Sequence, residues 1–103
     1  MFIGDIYERA LKTFGVENQM IKCVEELSEL QKELCKHSLG QGNVEHIIEE
    51  IADVEIMIDQ MKKGLGISFY SVDKVKKEKL NRLNERLDRE EDKRSKYYNM
   101  LDL

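Results

Sequence analysis

Apolar positions recur at steps of three and four along most of the chain, the spacing of an amphipathic α-helix, and glycine-bearing breaks separate four such segments. The first runs from about Gly4 to Phe14, with Ile6, Ala10 and Leu11 on one side, and Gly15-Val16 interrupts it. The second starts near Asn18 and reaches about His37, with Met20, Cys23, Val24, Leu27, Leu30 and Leu34 forming its stripe. Ser38-Leu39-Gly40-Gln41-Gly42 reads as a loop whose glycines tolerate left-handed geometry, and Asn43 is placed to cap the next helix. That third helix runs to about Lys63 and ends at Gly64. After a connection from Gly64 to Tyr70, Ser71 is expected to cap a fourth helix carrying Val72, Val75, Leu80, Leu83 and Leu87. Beyond Leu87 the charged run 88–94 has no apolar anchor, so residues 88–103 either extend the helix into solvent or fray. Tyr97, Tyr98, Met100 and Leu101 are available there for docking.

The expected fold is therefore all-α, a four-helix bundle in one domain spanning residues 1–103. Its third helix is unusual. Val44, Ile47, Ile48, Ile51, Val54, Ile56, Met57, Ile58 and Met61 leave it little polar face, so it should pack on both sides. A chain of 103 residues has one modest core, and the second side is most easily covered by a partner subunit, giving a homo-oligomer.

Composition changes this picture little. With 37% charged residues and no proline, long helices meet no enforced break. A net charge of −4 with both signs interspersed gives no broad attraction to nucleic acid or to an anionic membrane. No apolar run is long enough to span a bilayer, and the N-terminus carries no signal-peptide pattern. Cys23 and Cys35 lack zinc or redox spacing and are expected to pack as small apolar side chains in a reducing cytoplasm.

The candidate chemistry lies in carboxylates. Glu26 and Glu29 stand three apart on the second helix, as do Glu50 and Asp53 on the third, so each pair shares a helical face. Such pairs are common on solvated helices. The second pair, however, lies among Ile47, Ile51, Val54 and Met57, where ionised carboxylates repel one another and lose hydration. A divalent cation removes both objections. The short connection suggests antiparallel packing, which lets the pairs face each other. An all-oxygen ligand set suits Mg²⁺, or Mn²⁺, better than zinc. A di-iron centre would need Glu-x-x-His pairs, and Leu34 and Asn43 stand three residues before His37 and His46 instead.

The arrangement Glu26-x-x-Glu29, 20 residues, Glu50-x-x-Asp53 resembles the signature of the MazG-like nucleoside triphosphate pyrophosphatases. Glu25-Glu26-Leu27-Ser28-Glu29-Leu30 and Glu50-Ile51-Ala52-Asp53-Val54 read like that family's metal-binding helices. Ala52-Asp53-Val54-Glu55-Ile56-Met57-Ile58 is similar to its small single-domain members from Gram-positive bacteria and their phages, and Lys79-Leu80-Asn81-Arg82-Leu83 to their basic C-terminal helix. The likeness spans roughly residues 15 to 87. It implies a four-helix domain assembled as a dimer or tetramer, with Mg²⁺ held by Glu26, Glu29, Glu50 and Asp53. The implied reaction is attack of water at the α-phosphorus of a (d)NTP, releasing a nucleoside monophosphate and pyrophosphate. Glu26 or Glu29 would then orient or deprotonate the water.

Lys79 and Arg82, with Lys76 and Arg86, form a basic helix face suited to phosphate, though such a face is ordinarily just solvated. The longer family form has an asparagine and a terminal arginine at fixed steps after the lysine, and here Asn81 and Asn84 both stand as counterparts. Near the base, Gln19 and Lys22 are the expected polar contacts, while Phe14 reads as core. Two other functions share these residues: a dUTP/dUDP-specific hydrolase of the same fold, and a non-catalytic helical interaction module. Base, sugar, number of metals and physiological role are not written in the sequence.

Overall fold

The punctuation of the sequence is followed closely in the computed structural model of the chain, which describes residues 2–101. Its helices are α1 (Ile3–Phe14), α2 (Val16–Ser38), α3 (Val44–Gly64) and α4 (Phe69–Leu101), and there is no strand among the described residues. The class is all-α. Gly15, at φ 86°, takes the left-handed turn that an L side chain resists, so α1 ends and α2 begins with one residue between them. The second helix thus starts at Val16 rather than near Asn18, and Asn18 Nδ2 instead donates across the break to the Phe14 carbonyl at 2.8 Å. Asn43 caps α3 as expected, its side chain accepting from the His46 amide at 2.9 Å.

The chain divides between Ser68 and Phe69 into two compact units. In the first, α2 and α3 are the main pair, with α1 laid against both. Their antiparallel sense shows in the side chains that meet: Gln19 with Gln60 near one end, Glu33 with His46 near the other. Tyr7 of α1 reaches Asp59 of α3, and burial, then the Asp59 charge and hydrogen bond, raise its pKa above the usual 10.0. Gly64 closes the other junction. A Cβ there would stand 3.1 Å from Leu11 Cδ2 and 3.4 Å from Val16 Cγ1, so its bare backbone lets the end of α3 approach the α1–α2 corner.

The apolar core of this unit is small: Cys23, Val54 and Met57 are its buried apolar side chains among the described residues. Cys35, expected inside, lies exposed, because two residues along the same turn of α2 it falls on the side away from α3 while Glu33 takes the inward position. Phe14, expected as core, is 58% exposed at the α1–α2 corner, where the break turns it outward. Val24, Leu27, Leu34, Ile48 and Ile51 are likewise open.

The second unit is α4, an unbroken helix of 33 residues without a buried side chain. It begins two residues before Ser71, which therefore lies in its first turn rather than at its cap. The charged run 88–94 continues the helix to Leu101; residues 102 and 103 of the expected tail lie outside the described part. Near its end Arg94 lies over the Tyr98 ring, 5.5 Å from its centre, and Tyr97 meets Tyr98 edge to face. No described helix is long and apolar enough to cross a membrane.

Candidate metal centre

The α2–α3 seam is built from polar layers at two-turn intervals. Gln19, Glu26 and Glu33 follow one another by seven residues on α2, and Gln60, Asp53 and His46 by seven in the opposite direction on α3. In the first layer Gln19 Nε2 donates to Gln60 Oε1 at 2.8 Å, both side chains buried, and Gln60 Nε2 turns to the Met57 sulfur at 3.6 Å. In the third, Glu33 lies buried between Lys36 Nζ at 3.6 Å and His46 Nδ1 at 3.9 Å.

The middle layer is the chemical one. Single oxygens of Glu26, Glu50 and Asp53 all lie within 4.8 Å of one another, drawn from both helices. Glu26 and Glu50 are half-buried and Asp53 is exposed, so the group opens to solvent on one side. Glu50 Oε2 is buried without a hydrogen-bond partner. Its pKa is raised above the usual 4.5, first by burial, then by the charges of Asp53, Glu26, Glu29 and Glu33. Carboxylates that repel one another around an unpartnered buried oxygen fit a hard cation held by oxygen ligands, and no sulfur or imidazole joins the group.

Of the four expected ligands, three are thus brought together. Glu29 is exposed, one turn along α2 from Glu26; it stays outside the close group while its charge still acts on Glu50. Glu33 escaped the sequence reading. The signal that could have found it is the seven-residue step from Glu26, which places it on the same face of α2. Gln60 was missed as well, being a single amide between Asp59 and Met61 just before Lys62-Lys63.

Lys22 and Gln19, the expected substrate contacts, adjoin this layer. Lys22 Nζ forms ion pairs with Glu26 at 3.2 Å and Glu25 at 3.6 Å; the hydrogen bond and charge of Glu26, then Glu25, raise its pKa above 10.5. Both residues line an open cavity of about 560 Å³ together with Phe14, Asn18, Ile21, Glu25 and Met57. Its lining thus includes the aromatic ring of Phe14 and the amide of Gln19, which is itself bonded to Gln60. Lys79 and Arg82 belong to the other unit, where they line a hollow on α4 with Leu83, Glu85, Arg86 and Arg89. No family model, curated protein or solved structure matches this chain.

Proposed function

We propose that the chain is a Mg²⁺-dependent nucleotide pyrophosphohydrolase that converts a (d)NTP to the monophosphate and pyrophosphate. The observation that carries this reading is the convergence of Glu26, Glu50 and Asp53 around the unpartnered Glu50 oxygen. These three side chains would hold the cation, with Glu29 beside them. When bound, Mg²⁺ would polarise a phosphate, neutralise developing charge and lower the pKa of a coordinated water.

The protein's own side chains supply the rest. Glu29 is exposed and outside the close group, so its carboxylate remains available to orient or accept a proton from the attacking water. Lys22 sits as a cation beside Glu26, and once that carboxylate is otherwise neutralised it is released to meet an incoming phosphate. The cavity that Lys22 shares with Phe14 and Gln19 has the size of a small-ligand site, with an aromatic face for a base and an amide to read its edge. The resemblance to the MazG-like family supports the same substrate class. The large exposed apolar area of α2 and α3 supports a homo-oligomer.

Product analysis tests the reaction. Purified protein with Mg²⁺ and a panel of (d)NTPs and (d)NDPs is expected to yield monophosphate and pyrophosphate, with activity lost in Glu50→Gln and Asp53→Asn while helicity persists. Release of monophosphate from diphosphates alone would narrow the enzyme to a diphosphohydrolase. Absence of turnover on every nucleotide would reject the enzymatic reading in favour of a helical binding module.

A further inference from the structure

The C-terminal two-thirds of α4 carries a second pattern that the proposed reaction does not use. From Leu80 onward the helix reads in sevens. Leu80, Leu87, Arg94 and Leu101 occupy one seam position, and Leu83, Glu90 and Tyr97 the other, three residues on. Every outward position of this frame between residues 81 and 99 is polar: Asn, Arg, Glu, Asp or Ser, with one Lys. The seam residues Leu80, Leu83, Leu87, Tyr97 and Leu101 are all exposed on the single chain. Three heptads of one helix, about 33 Å long, thus carry a stripe, apolar but for Glu90 and Arg94, none of whose residues is buried. Helices in proteins owe most of their stability to such packing, and the charged run 88–96 supplies none of its own.

We propose that residues 80–101 pair with the same segment of a second copy of this chain as a parallel two-stranded coiled coil. The charges choose the occupant and its direction. In a parallel pair each layer meets its own counterpart, so Glu90 meets Glu90 and Arg94 meets Arg94, and these like charges are offset between adjacent layers rather than within one. Glu90 of one copy lies one layer from Arg94 of the other, twice over. The flanking positions also agree, since Arg86 faces Glu91 of the second copy. An antiparallel pair would bring Arg86 against Lys93 and set Leu83 against Arg94. Within one copy Glu90 is ion-paired at 3.6 Å with Lys93 and Arg94 rests on Tyr98, both exposed contacts that pairing can exchange at little cost. A polar layer inside an apolar seam is also how coiled coils fix register.

The test is disulfide formation in the full-length chain after Cys35→Ser removes the exposed native thiol, Cys23 being buried. A disulfide needs Cα atoms within about 7 Å, which seam positions satisfy in a parallel pair and outward positions do not. Tyr97→Cys and Leu83→Cys are expected to cross-link to themselves under mild oxidation, roughly tenfold or more faster than Ser95→Cys. Arg94→Glu should slow that cross-linking by about tenfold, and adding Glu90→Arg should restore it. Equal rates at positions 95 and 97, or no cross-link at either 83 or 97, would overturn the proposal. So would a charge reversal without effect. Pairing through α2 or α3 alone leaves these rates unseparated, so the readout is specific to α4.

Discussion

Glu50 concentrates what the middle layer costs the folded chain. Burial and four neighbouring carboxylates raise its pKa from the usual 4.5, so the folded state holds that proton more tightly than the unfolded one. As pH climbs from 4.5 through the raised value, the folded chain must give up the proton against those neighbours, and stability is lost rather than gained. In the presence of a chelator, Glu50→Gln is therefore expected to gain on the native protein in melting temperature as pH rises through that window, and to stay ahead at neutral pH. Melting curves at several pH values check this, and a difference that does not change with pH would show that Glu50 is not strained. Added Mg²⁺ should close the gap by stabilising the native chain alone. Residue identity at this site was legible because acidic residues in an apolar helix are conspicuous. Phe14 was misread because an aromatic ring looks like core wherever it falls, and only the corner at Gly15 turns it outward.

At the scale of elements, helix existence and most boundaries could be read from periodicity and caps. Asn43 is the clearest instance, since a short acceptor before an apolar run has few other uses. Asn43→Ala is expected to cost about 1 kcal/mol, measured by urea denaturation, with the loss confined to the first unit. An unchanged midpoint would mean that the His46 amide finds another partner. The fourth helix was harder. Ser71 resembles a cap as much as Asn43 does, yet Phe69 and Tyr70 already wind into the helix, and propensity cannot distinguish a cap from a first-turn serine. Nor do local rules place the layers of the α2–α3 seam. Gln19 with Gln60 and Glu33 with His46 depend on antiparallel register, a property of the pair and not of either helix.

For the whole molecule, the described chain buries few apolar side chains and leaves long aliphatic stripes on α2, α3 and α4 open. Sedimentation at micromolar concentration is expected to show a dimer or larger species; a monomer would leave those stripes without a role. The carboxylate layer remains the centre of the functional reading, and its occupancy can be observed without assuming any substrate. The most direct measurement is titration with Mn²⁺, followed by its electron paramagnetic resonance signal, with Mg²⁺ as competitor. The native protein is expected to bind the ion and to release it to excess Mg²⁺, while Glu50→Gln and Asp53→Asn lose that binding. Failure to bind Mn²⁺, or binding that both variants retain, would contradict a metal centre built on Glu26, Glu50 and Asp53.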